Sequence, residues 1–112
     1  MNKVKNKYLT IILQIRDKHE YTFRWLDYAY DQNCPFQIYI ADGSRNSNVK
    51  KYIINKNLHH RLKIEYKKTD YDINWKTYCS KISFALNNIK TSYILIADND
   101  DFYNFKNVEK CI

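Results

Sequence analysis

Four short apolar runs, each followed by a stretch with helical or turn character, constrain this chain more than any other feature. They are residues 9–15, 36–41, 62–66 and 93–97. Between them, residues 18–32 place Trp25, Leu26 and Ala29 at helical spacing, and residues 46–58 do the same with Val49, Tyr52 and Ile53. Strands alternating with helices imply an α/β fold, β-α-β-α-β-α-β, with a mainly parallel sheet and right-handed crossovers. With the first three strands winding one way and the fourth beside the first, a crevice opens between strands one and four. The segments ending at Arg16-Asp17, at Asp42-Gly43-Ser44 and at Asp98-Asn99-Asp100 would then line one site.

The third helix is marked by Trp75, Tyr78, Cys79, Ile82, Leu86 and Ile89, which are expected to form its buried face, with Asp72 as its cap. Residues 62–66 alternate as an edge strand, and residues 105–112 begin a further helix with Phe105, Val108 and Ile112 on one face. The single Gly, Gly43, sits in an Asp-Gly-Ser turn and is expected to supply a backbone conformation that other residues resist.

The stretch Tyr93-Ile94-Leu95-Ile96-Ala97-Asp98-Asn99-Asp100-Asp101 breaks without a spacer from a β-like run, read as a buried strand, into three carboxylates and an amide. Asp98 and Asp100 therefore end a strand, where open α/β sheets hold their ligands. Carboxylates so placed can face one hard cation, which would neutralise a diphosphate. A solvated strand end or helix cap would use the same residues. An EF-hand loop from Asp98 is excluded, because Tyr103 stands where that loop requires Gly.

At 112 residues the chain is read as one domain, 1–112. Its 45% hydrophobic residues and lone Pro exclude a disordered segment. The net charge of +7 is spread along the chain instead of forming an arm, so a solvated basic surface is favoured and no nucleic-acid partner is expected. Cys34, Cys79 and Cys111 are odd in number and lack C-x-x-C spacing, which argues against a disulfide framework or a zinc site and for a reducing cytoplasm. The apolar run at residues 8–13 is too short for a signal peptide or a membrane span. A cytoplasmic location is expected, the inner face of a membrane included. His19, His59 and His60 are read as surface or loop residues, the latter two in an extended segment.

Taken in order, Thr10-Ile11-Ile12-Leu13 with its following loop, Ile40-Ala41-Asp42-Gly43-Ser44, and Ile96-Ala97-Asp98-Asn99-Asp100-Asp101 resemble the landmarks of family 2-type glycosyltransferases with the GT-A fold. The resemblance covers nearly the whole chain and implies a Rossmann-like GT-A half that binds a nucleotide-diphosphate sugar with Mg²⁺ or Mn²⁺. It implies that Asp42 contacts the base, Asp98 the ribose side and Asp100 the metal, with Gly43, Ser44, Arg16 and Asp17 completing the nucleotide site and Asp98 also near the metal. The loop Gln14-Ile15-Arg16-Asp17 departs from the family's pattern. In this family the acceptor site and general base lie beyond the D-x-D element, so the chain is expected to be the N-terminal part of a longer or split enzyme, with catalytic residues and acceptor unidentified. A non-catalytic nucleotide-binding fragment or decayed remnant is the alternative. A nucleotidyltransferase would show a Gly-rich loop after the first strand, where residues 14–20 contain none.

Overall fold

A computed structural model describes residues 7–112. Its centre is β1 (Leu9–Ile15), whose side chains are buried at all positions but Gln14 because strands flank it on both sides and helices cover both faces. Along the chain follow α1 (His19–Asp31), β2 (Gln37–Asp42), α2 (Asn48–Asn55), a 3-10 turn at Leu58–His60, β3 (Ile64–Lys68), α3 (Trp75–Asn88), β4 (Tyr93–Asp98) and α4 (Phe105–Lys110). The sheet is parallel throughout, in the order β3-β2-β1-β4, so the chain winds outward to β3 and then crosses to the far side of β1. The β1–β2 and β1–β4 registers pair Ile15 with Asp42 and Gln14 with Asp98. Both acidic strand ends therefore share one edge, the reversal point that ligands occupy in such sheets.

The period of two in β1 divides the core into two layers. Ile11, Leu13 and Ile15 join Ile38 and Ile40 under Trp25, Leu26 and Ala29 of α1, Val49 and Ile53 of α2, and Phe105 of α4. On the other face, Ile12, Tyr39 and Ala41 meet Ala85 of α3, with Ile82 and Ile89 at the margin. The second layer is much the smaller, and two sequence expectations fail because of it. The strand expected to be buried, β4, is an edge strand: Tyr93, Ile94 and Ile96 are exposed, and Ala97 is its one buried residue. Helix α3 packs on β1 and β2, leaving the Ile94–Ile96 face of β4 uncovered.

The face of α3 agrees only in part with the one its apolar periodicity predicts: Ile82 and Ile89 pack on the sheet, but other members of the set do not. Trp75 is 75% exposed and Leu86 42% exposed, whereas the buried residues are Lys81 and Ala85. Nor does Asp72 cap the helix. Asn74 does, accepting from the Thr77 N–H at 3.1 Å, while the Thr77 hydroxyl accepts from the Asn74 N–H at 3.0 Å in a reciprocal capping box. His59 and His60 lie on the 3-10 turn, not in an extended segment, and both are exposed, as a surface role requires.

Gly43 is needed for a reason other than backbone conformation, since its φ is not positive. A Cβ built there would lie 2.8 Å from Cβ of Asp72 and 3.2 Å from Nζ of Lys81. The two backbones are also stitched together, the Asp72 N–H donating to the Gly43 carbonyl at 2.9 Å. Gly43→Ala is therefore expected to lower stability by about 1–3 kcal/mol through overpacking. Urea unfolding should show a reduced midpoint with unchanged slope; an unaltered midpoint would contradict the close-approach explanation.

Candidate functional site

The ends of β1 and β4 and the start of α3 enclose a cavity of about 480 Å³ at the carboxyl edge of the sheet. One wall is Gln14, Arg16 and Lys18, from β1 and its following loop; the second is Asp98, Asn99 and Asp100, from β4 and its loop. The third comprises Asp72, Asn74, Trp75 and Tyr78. Acidic and cationic groups thus face one space.

The acidic wall is held by α1. Trp25 donates its indole N–H to the Asp101 carbonyl at 2.8 Å, and the Tyr28 hydroxyl donates to the Tyr103 carbonyl at 2.8 Å. Between them Asn99 donates its side-chain amide to the Thr22 hydroxyl at 3.0 Å, while the Asp101 N–H closes a turn on the Asp98 carbonyl at 3.1 Å. Phe105 anchors the far end, buried among Trp25, Tyr28 and Phe36. The loop backbone is consequently fixed while the carboxylates of Asp98, Asp100 and Asp101 stay exposed, with one oxygen of each within 4.8 Å of the others. Three exposed carboxylates offer hard oxygen donors, a set of the type that can hold a divalent cation.

Beneath the cavity lies a buried ion pair. Lys81 Nζ sits 2.9 Å from Asp72 Oδ2, with the two side chains 2% and 5% exposed. The ammonium also donates to the Ile15 carbonyl at 3.1 Å and to Gln14 Oε1 at 3.4 Å, and it lies 5.3 Å from the centre of the Tyr78 ring. Asp72 in turn accepts the Thr77 hydroxyl at 2.9 Å, and its backbone carbonyl accepts from Arg16 at 3.0 Å. Gln14 passes the network on, donating its amide to Asp98 Oδ1. Tyr78 stacks on Trp75 with ring centroids 5.1 Å apart. Burial, with the charges of Asp98 and Asp72, raises the Tyr78 hydroxyl's pKa above its usual 10, so it enters the site as a neutral group.

The Asp42-Gly43-Ser44 turn is adjacent but enclosed. Asp42 and Ser44 are fully buried, and neither lines this cavity. The Asp42 carboxylate accepts from the Ser44 N–H at 2.9 Å and from the Tyr66 hydroxyl, whose pKa is driven up by burial and by that carboxylate. Ser44 Oγ accepts from the Asp17 N–H at 2.7 Å, joining the turn to the β1 loop. There Asp17 and Lys18 both adopt positive φ. The Asp17 carboxylate accepts from the Arg45 N–H at 3.1 Å, which together with the Arg45 guanidinium holds its pKa below the ordinary carboxylate value against a smaller effect of burial.

Arg16, Asp98 and Asp100 are thus brought to one cavity, whereas Asp42, Gly43, Ser44 and Asp17 form a supporting layer beside it. Sequence reasoning missed Asp72, Trp75 and Tyr78 as cavity residues. One signal was present: Asn74 followed by Thr77 starts the helix at Trp75 and leaves Asp72 outside it.

No family model and no curated protein matches the chain. Among solved structures it is similar to residues 1–349 of S. aureus TarS, determined by crystallography, with a TM-score of 0.72 and 15% identity over 93% of this chain. The chain spans 31% of the length of that chain. At such identity the likeness shows the fold alone, a Rossmann-like parallel sheet with interleaved helices.

Proposed function

We propose that the chain is the nucleotide-sugar-binding part of a family 2-type glycosyltransferase, holding a nucleotide-diphosphate sugar and Mg²⁺ or Mn²⁺ between β1 and β4 for transfer to an acceptor hydroxyl. The observation that carries this reading is the meeting of the Asp98-Asn99-Asp100 wall with Arg16 and Lys18 around one cavity at the carboxyl edge. It is supported by the glycosyltransferase-like fold shared with TarS. Among the described residues no helix is long and apolar enough to cross a membrane, so the reading needs no span in them.

Asp100 and Asp98 would hold the cation, which when bound offsets charge on the departing diphosphate. Arg16 and Lys18 face the same space and would counter the remaining phosphate charge. Tyr78, kept neutral, can donate a hydrogen bond without adding an anion, and Trp75 offers a flat apolar surface at the cavity rim. Asp42, Gly43, Ser44 and Asp17 serve the nucleotide end in this reading. Because Asp42 is buried with both oxygens engaged, it acts by holding the turn that supports the β1 loop, and a direct base contact would require Tyr66 to move aside.

Titration calorimetry with Mn²⁺ and a panel of nucleoside diphosphates tests the assignment. Affinity should be measurable in Mn²⁺ and fall by at least tenfold in chelator, because carboxylates and diphosphate repel without a cation between them. Asp100→Ala should remove the metal dependence. Equal affinities in Mn²⁺ and in chelator would contradict the reading.

Asp42→Asn should weaken nucleotide binding by the same factor with and without metal, since the turn lies outside the acidic cluster. A loss confined to the metal-containing titration would show instead that Asp42 belongs to the cation site.

A further inference from the structure

Lys81 is an unusual residue to find buried in the middle of a helix, and its surroundings account for every proton it carries. An ammonium has three N–H donors and no acceptor. Here the three are spent on Asp72 Oδ2 at 2.9 Å, the Ile15 carbonyl at 3.1 Å and Gln14 Oε1 at 3.4 Å. The last contact has a directional consequence. A primary amide has an oxygen that accepts and a nitrogen that donates, and a donor-only neighbour can meet only the oxygen. With its oxygen committed to Lys81, Gln14 must turn its NH₂ toward the opposite side, where it donates to Asp98 Oδ1. Asp98 thereby has one oxygen occupied and directed, while the carboxylate as a whole stays exposed at the cavity wall.

We propose that the buried Asp72–Lys81 pair positions the Asp98 carboxylate through Gln14, so that Asp98 presents a chosen oxygen to the divalent cation. The inference rests on the donor-site reading above and adds to it three positioning residues, none of which touches the cation. Each member of the series constrains the next. Asp72 is fixed by the Thr77 hydroxyl and by close packing against Gly43, so it orients Lys81; Lys81 selects the orientation of the Gln14 amide; and Gln14 orients Asp98. A side chain that merely filled space would not transmit this. Methionine at position 14 has a shape close to glutamine's but donates nothing.

The test is a double-mutant cycle on the full chain, read by Mn²⁺ binding through the electron paramagnetic resonance signal of the free ion, with melting temperature recorded alongside. Gln14→Met should weaken Mn²⁺ binding about tenfold, the size expected when a group that orients a metal ligand is lost, with melting close to wild type. Lys81→Met alone would strand the Asp72 charge and could unfold the protein, so the second variant combines Asp72→Asn with Lys81→Met. That variant should lose a similar factor, and adding Gln14→Met to it should cost no more, because the pair acts through the amide. In ¹⁵N spectra without metal, the Gln14 side-chain resonances should move in Asp72→Asn/Lys81→Met and in Asp98→Asn. Wild type that binds no Mn²⁺ would overturn the donor-site reading. Wild type that binds while Gln14→Met binds equally well would overturn the positioning role alone, and multiplying losses in the combined variant would overturn the route through Gln14.

Discussion

The contact between Lys81 and Asp72 ties the loop after β3 to the interior of α3, and through the Ile15 carbonyl it joins both to the end of β1, which lies 66 residues from Lys81 in sequence. Burying two charges is costly, and an apolar pair of similar volume is often as stable, so the pair is better understood as a means of fixing geometry than as a source of net stability. Its geometry is fully used. The ammonium has no spare donor, Asp72 engages both carboxylate oxygens and its carbonyl, and Gly43 leaves just enough room for the Asp72 backbone to approach the turn after β2. The cavity wall containing Asp72 is therefore held in place by a buried lysine of α3.

A second set of constraints comes from the opposite layer. Two aromatic side chains of α1 hold the loop after β4 by its carbonyls, leaving the acidic side chains free. This division lets the loop be rigid in its backbone and polar on its outer surface. Between the two layers, Gln14 occupies the one position of β1 that is not buried and touches both the ion pair and Asp98. The site is built where the two packing systems of the sheet meet, with cations contributed by the loop between β1 and α1.

Much of the architecture was legible in the sequence because burial of β1 and β2 demands long apolar runs, and their alternation with helices implies a parallel sheet. The parallel sheet and the edge position of β3 agree with that pattern, and the placement of β4 beside β1, entertained in the sequence as one winding of the strands, is the one the structure has, so that Asp42 and Asp98 share an edge. What misled was the assumption that an apolar residue is an inward one. In α3 the spacing from Trp75 to Ile89 describes a helix correctly and places Ile82 and Ile89 on the sheet, but it wrongly buries Trp75 and Leu86, since only a small layer of Ile12, Tyr39 and Ala41 lies beneath the helix and a paired lysine takes the central place. In β4 the same assumption predicts burial for Ile94 and Ile96, which face open solvent. Gly43 was singled out correctly and explained wrongly: sequence suggests an unusual turn, whereas the need is for space beside Asp72, a residue 29 positions away that no local pattern connects to it. Candidate site residues divide on the same principle. Asp98 and Asp100 lie exposed after a strand end, as their place in the chain implies, whereas the enclosure of Asp42 under Tyr66 depends on tertiary contacts that no local pattern shows.

The most direct test of the central claim is a crystal structure of the chain grown with Mn²⁺ and a nucleoside diphosphate, with anomalous scattering used to locate the metal. The account predicts an anomalous peak between the carboxylates of Asp98 and Asp100, with the diphosphate on its far side toward Arg16. A fully occupied nucleoside diphosphate elsewhere on the surface, or Mn²⁺ bound away from these two aspartates, would contradict it.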